Sequence, residues 1–270
     1  TVANPITLTC TDSLNGWGGV IILNKSTADT NRFNFCNFSY IGYWSFDWLY
    51  DKPFGVFPIE ACGVIAYESS PLKIFGCSFY RNRFSVRTYR TDISIDFSRF
   101  LGNIKYGRYE NYGSFLRSGC IITLENSVNI RDCDFTNNYN GVNLTKTLND
   151  SVPNISNCYF ENNELLSLQL SDGSSAKSCV FYNNGCDVMR IYDWRGKLDS
   201  CVFDKSYGDC ASSKNIRFFR NCSQGLIENC IFKNSVFDGV NNADLVANEV
   251  ASLPIVKDCL FDKSGGIIIS

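Results

Sequence analysis

Nine times along the chain one short signature returns: an apolar residue, two spacers, Cys, one spacer, Phe, two spacers and usually Asn. It reads Ile74-Phe-Gly-Cys77-Ser-Phe79-Tyr-Arg-Asn82, Ile130-Arg-Asp-Cys133-Asp-Phe135-Thr-Asn-Asn138 and Ile155-Ser-Asn-Cys158-Tyr-Phe160-Glu-Asn-Asn163. The other anchors are Phe38, Phe100, Phe181, Phe203, Phe232 and Phe261. Cys stands two positions before the Phe everywhere except at Ser98, and the apolar position is filled throughout, from Phe33 to Val256. A repeat this short and regular means stacked supersecondary units, so the period constrains the fold before composition does.

Phe79 to Phe100, Phe160 to Phe181 and Phe181 to Phe203 are 21, 21 and 22 residues apart, and the longer gaps are the same unit plus loops. Helical repeats need about 33–47 residues, whereas about 20–29 fits leucine-rich repeats or parallel β-helices. The consensus uses Ile, Val, Phe and Cys rather than Leu, which favours strands. Each unit carries two strand-like runs. One is the anchor run; the other is typified by Gly63-Val-Ile-Ala-Tyr67, Cys120-Ile-Ile-Thr-Leu124 and Val188-Met-Arg-Ile191. The step of three from the apolar residue to Cys breaks strand alternation and predicts a bend or bulge there. Stacking would place Cys, Phe and Asn in three files. Asn tolerates left-handed backbone and bonds to the next turn, so Asn82, Asn103, Asn138, Asn163 and Asn184 are expected at a corner in a structural role. The expectation is one all-β domain over 1–270, a right-handed parallel β-helix (β-solenoid) of about nine coils. Gly265-Gly-Ile-Ile-Ile-Ser270 reads as the opening strand of a further turn, so the chain is expected to be part of a longer repeat protein.

The recurring Phe-x-x-Asn at Phe79/Asn82, Phe100/Asn103, Phe135/Asn138, Phe160/Asn163 and Phe181/Asn184 resembles the repeats of chlamydial-type polymorphic outer-membrane proteins. Similar Cys-x-Phe-x-x-Asn repeats occur in surface-protein families of archaea and parasitic protists. The resemblance spans roughly residues 18–270 and implies a right-handed parallel β-helix that serves as a surface-exposed adhesin or passenger segment. The chain departs from that pattern in two ways. Only Gly18-Gly-Val-Ile and Gly265-Gly-Ile-Ile approach the companion Gly-Gly-Ala-Ile element, and Phe203, Phe232 and Phe261 are followed by Ser in place of Asn.

Composition narrows the chemistry. There is no His, which removes any imidazole base or His-containing triad. A net charge of −2 shows none of the basic excess of a nucleic-acid binder, so no nucleic-acid partner is expected. No apolar run approaches the length of a membrane span. Of the 14 cysteines, eight occupy the repeat position, and seven of these form the candidate structural ladder: Cys77, Cys133, Cys158, Cys179, Cys201, Cys230 and Cys259. Buried free thiols fit the repeat best. Disulfides between coils suit the parallel Cβ vectors poorly. A metal or redox role lacks both His and CxxC, so no metal or cofactor is expected.

Two readings compete for function. In the first the chain is a non-enzymatic scaffold, adhesin-like and located at the cell surface or outside the cell. In the second it is a carbohydrate-active enzyme on a pectin-lyase-like β-helix. That enzyme would draw a carboxylate pair from Asp132, Asp134, Glu161, Asp204, Asp258 and Asp262, although these read as outward, solvated positions. An intracellular filament-associated repeat protein is a third possibility. Insertions at about 40–60 and 104–118 interrupt the period with Trp44, Trp48, Tyr106, Tyr109 and Tyr112, and Arg108 lies in the second. From Lys73 to Arg117 nine Lys/Arg face three Asp/Glu, a balance of 9 − 3 = +6. Both insertions follow an anchor Phe and should leave one corner of the solenoid. The candidate binding surface for a protein or glycan is therefore these aromatics with Arg81, Arg83 and Arg108. The plain alternative is that the aromatics cover the flank of the helix.

Overall fold

The computed structural model describes residues 6–9, 19–23, 30–41, 62–103, 119–124, 126–145, 153–207, 214–235, 243–248, 254–265 and 267–269. Within them the chain winds as a parallel β-helix whose strands form three long sheets of 10, 10 and 9 strands. Every strand pairing among the described residues is parallel, and successive coils pair residue for residue: Phe38 beside Phe79, Phe79 beside Phe100, Phe100 beside Phe135. The right-handed sense expected from sequence is the one that parallel crossovers take in general.

One coil shows how the sequence builds the turn. Leu72–Phe75 lies in the first sheet, Ser78–Tyr80 in the second and Phe84–Tyr89 in the third. Each passage between sheets is made by a residue with left-handed backbone: Gly76 at φ 62°, Arg81 at φ 51° and Arg90 at φ 46°. The anchor run read as one strand is thus two, in different sheets. The step of three from Ile74 to Cys77 is the bend at Gly76 seen in sequence. The left-handed residue at the next corner is the one before the Asn, such as Arg81, Asn137, Asn162 or Asn183, and not the repeat Asn itself. A rung also precedes the first anchor: Ile6–Leu8 pairs with Cys36–Ser39, placing Leu8 where every later coil has Phe. The period starts before residue 18.

The core follows from this register. Phenyl rings stack coplanar from Phe38 to Phe261 with centroids 4.7–4.9 Å apart and interplanar angles of 0–11°. That spacing is the rise of one coil, so each ring stacks in parallel on the ring of the next coil. Burying each Phe contributes roughly 2–3 kcal/mol. A second file runs through Ile74, Ile95, Ile130, Ile155, Ala176, Leu198 and Ile227, all buried. Asn138 shows what the buried Asn file does. Its Oδ1 accepts from Asn103 N at 3.0 Å, and its Nδ2 donates to Phe100 O at 2.9 Å and to Asn163 Oδ1 at 3.1 Å. The side chain thereby satisfies backbone groups that the turn leaves without ladder partners. At Ser206 and Ser235, two of the positions where Ser replaces Asn, the long strand supplies the amide: Asn215 bonds Ser206 and donates through Nδ2 to Ser235 Oγ at 3.0 Å.

Candidate functional site

The corner between the Phe sheet and the long sheet carries the candidate surface. In the coil of Phe79 the passage is short: Tyr80 ends one strand, Arg81-Asn82-Arg83 turns, and Phe84 begins the next. Asn82 ties this turn to both neighbouring coils. Its Oδ1 accepts from Ile41 N at 3.1 Å, its Nδ2 donates to Phe38 O at 3.0 Å, and its own N donates to Asn103 Oδ1 at 2.9 Å. Ile41 and Asn103 are the last described residues before the two insertions. The chain returns at Cys62 and Gly119, which pair with Phe84 from its two sides. The insertions therefore leave and re-enter at one corner, one coil either side of Arg81 and Arg83. Trp44, Trp48, Tyr106, Arg108, Tyr109 and Tyr112 lie outside the described residues.

The cations at this corner are held against aromatic rings. The Arg81 guanidinium lies 5.3 Å from the Tyr80 centroid, and Arg83 lies 5.5 Å and Arg87 5.3 Å from Phe84; at the opposite end of the strand, Arg90 lies 4.9 Å from Tyr89 and pairs with Glu68 at 3.2 Å. Such contacts orient a guanidinium against a ring face. Beneath them, Cys62, Ile65, Phe84 and Ile122 form a second buried apolar cluster, separate from the solenoid core. The long sheet is thus shielded on both faces in these coils.

The candidate carboxylates occupy the outer strands and one bend. Asp134 faces Arg99 at 3.5 Å, Asp204 faces Lys233 at 3.4 Å and Asp258 faces Lys257 at 3.5 Å. Asp132 accepts from Asn157 Nδ2 at 3.3 Å. Glu161, Asp204 and Asp262 share one outward file, with Tyr182 and Lys233 interleaved. Among the described residues no group of three or more His, Cys, Asp or Glu side chains is placed to hold a metal ion.

The repeat cysteines lie along the inside of the bend. Cys36, Cys77, Cys133, Cys158, Cys179, Cys201 and Cys230 are buried, Cys259 is half-buried, and all eight are free thiols. Each thiol points to the carbonyl two residues back across the bend, as Cys133 Sγ does to Arg131 O at 3.1 Å. The exceptional Ser98 makes the same bond, to Asp96 O at 3.0 Å. Burial pushes the Cys77 thiol up to about 11, and burial also raises Cys120. Such thiols are protonated and inert at neutral pH. Cys186, outside the repeat position, is disulfide-bonded.

One cleft gave no signal in the sequence. It encloses about 350 Å³ beside the long sheet and is lined by Asp172, Asp193, Trp194, Arg195 and Asn221 among others. Trp194 is its buried floor, with Nε1 donating to Ser174 O at 2.7 Å. Arg195 grips Asp172 in a bidentate pair at 2.8 Å, and Arg220 reaches Asp193 at 3.1 Å. Short stretches of three successive coils make this cleft, so no linear motif marks it.

No protein-family model matches the chain, and no characterised protein matches it in sequence. Among solved structures it is similar to the crystal structure of PfbA, a surface adhesin of Streptococcus pneumoniae. That match has 12% identity and a TM-score of 0.41, and covers 89% of this chain and 71% of the other. It is also similar to tailspike protein 3 of bacteriophage CBA120, at 10% identity and a TM-score of 0.32. The second match covers 98% of this chain, which spans about half (51%) of the tailspike. No helix among the described residues is long and apolar enough to cross a membrane.

Proposed function

We propose that the chain is a non-enzymatic, adhesin-like repeat scaffold that binds a partner protein or glycan at the corner where its two aromatic insertions leave the solenoid. The observation that carries this reading is positional: the exits at Ile41 and Asn103 flank the Arg81–Arg83 turn, one coil away on each side. Arg81 and Arg83, held over Tyr80 and Phe84, supply directional donors. The inserted Trp44, Trp48 and Tyr109 supply flat apolar area, and aromatic and Arg anchors together dominate recognition surfaces. A surface or extracellular location is supported by the disulfide at Cys186, since such bonds persist in oxidising compartments.

The test is an array of glycans and surface proteins probed with three forms of the chain: wild type, Arg81→Ala/Arg83→Ala, and Trp44→Ala/Trp48→Ala/Tyr109→Ala. Both variants should melt as wild type does, because the Phe and Asn files hold the core. Each should lose the wild-type ligand, with central residues costing on the order of 2 kcal/mol apiece. A ligand bound equally well by both variants would place recognition elsewhere. Turnover of a polysaccharide ligand by the wild type would replace the scaffold reading with the enzymatic one.

A further inference from the structure

We propose a second contact surface, distinct from the insertion corner: Phe35, Phe75 and Phe97, with Arg32 and Lys73, dock a protein segment carrying acidic and apolar side chains close together. The three phenyls line the bend between the first sheet and the Phe sheet in consecutive coils. They are 44%, 38% and 55% exposed. Phe75 contacts each of the other two edge-to-face at 5.5 Å, making one apolar ridge along the solenoid axis.

Nothing in the fold asks for these residues. Phe35 and Phe97 occupy the left-handed bend position at φ 54° and φ 51°. Other coils fill that position with Gly76, Asp132, Asn157, Ser178, Ser200 and Asn229, residues suited to the geometry or to solvent. A bulky aromatic there costs about 1–2 kcal/mol in backbone strain, and only about half of each residue is buried in return. The cations are placed against the fold as well. Arg32 and Lys73 are register partners on adjacent strands, both exposed, and like charges opposite one another destabilise a sheet. The one carboxylate in register with Phe75, Asp96, is engaged by Arg131. Local choices that oppose stability and converge on one patch indicate a recognition role.

The chemistry of the patch selects the occupant. Exposed phenyls ask for apolar side chains, and two cations without a carboxylate partner among the described residues ask for carboxylates. Lys73 precedes Phe75 by two residues on the same strand face, a separation of about 7 Å. An extended peptide with acid and apolar residues at i and i+2 presents that same separation.

The probe is a fluorescent peptide of repeated Glu-Ser-Phe-Ser, compared with its Lys-Ser-Phe-Ser counterpart, phosphatidylserine vesicles and polygalacturonate. The Glu peptide should bind in a salt-sensitive way and the Lys peptide should not. The Phe35→Asn/Phe97→Asn variant should lose about tenfold or more in affinity, and Arg32→Ser/Lys73→Ser should lose the salt sensitivity. The Asn double variant should melt at or above the wild-type temperature, because Asn accepts the left-handed bend. A lower melting temperature would assign the phenyls to the fold and overturn the proposal. So would wild-type affinity in that variant, equal binding of the Lys peptide, or binding of vesicles or polygalacturonate in place of the Glu peptide. Arg81→Ala/Arg83→Ala should bind the Glu peptide normally, so failure here and failure at the insertion corner are separable.

Discussion

At the scale of single residues, the repeat is a solution to three left-handed bends per coil. The Cys position was legible as buried, but its bond to the carbonyl behind it was not, and that bond explains why Ser98 alone substitutes for Cys. The thiols have a pH consequence. The folded Cys77 thiol titrates near 11 against an ordinary value of 9.0, mainly through burial. A raised folded pKa contributes stability that is complete below pH 9 and is lost as pH rises toward 11. Denaturation midpoints should therefore fall across that window, and Cys77→Ser should reduce the fall, since Ser does not titrate there. Asn138 anchors a different bend and bonds the coils on both sides. Asn138→Ala should cost about 2 kcal/mol by leaving Phe100 O and Asn103 N without partners, as urea unfolding would show. The role of Asn was readable from its recurrence. The left-handed residue beside it was not, because Arg81, Tyr40 and Phe97 are poor turn formers whose conformation the stack imposes.

At the scale of elements, the Phe file and the long sheet behave differently. The file was legible because one residue type repeats at one offset, and its stacking at 4.7 Å on both faces of Phe135 makes that ring a strong test. Phe135→Ala should cost about 4 kcal/mol, and Phe135→Leu much less, given that Leu8 already occupies the first rung of the file. The long sheet hides a charged cluster that its apolar run Val188-Met-Arg-Ile191 conceals. Asp187 and Arg190 are both buried, and Asp187 bridges Arg190 at 2.6 Å and Arg217 of the next coil at 3.0 Å. Removing the shared negative charge with Asp187→Asn should destabilise by on the order of 3 kcal/mol, measurable by thermal melts. Spacing within one strand offers only the Asp187–Arg190 pair; Arg217 belongs to the next coil and meets Asp187 only once the register is set.

At the scale of the whole molecule, the solenoid sorts one type of signal by position. Six sequons occur, at Asn24, Asn37, Asn143, Asn149, Asn154 and Asn221. Asn143 is buried in a long strand, whereas Asn154 and Asn221 are exposed. Expression through a secretory pathway that glycosylates should modify Asn154 or Asn221 and leave Asn143 bare, as peptide mass spectrometry would report. The insertion corner was legible for a related reason: both insertions follow an anchor Phe, and equal offsets in a stacked repeat share an edge. The phenyl ridge was not legible, because Phe35, Phe75 and Phe97 read as further strand residues until the bends turn them outward. All of these statements depend on one property, the coil-for-coil register. Leu101, Thr136, Glu161, Tyr182, Asp204 and Lys233 form one outward file in which each neighbour is the next coil. Nitroxide labels at Leu101 paired with Asp204 or with Lys233, read by pulsed dipolar spectroscopy, measure that register directly. Four and five coil steps predict backbone separations of about 19 and 24 Å, an increment of one coil for 29 residues of added sequence. Equal distances, or an increment well beyond one coil rise, would contradict the parallel β-helix on which every site described here is built.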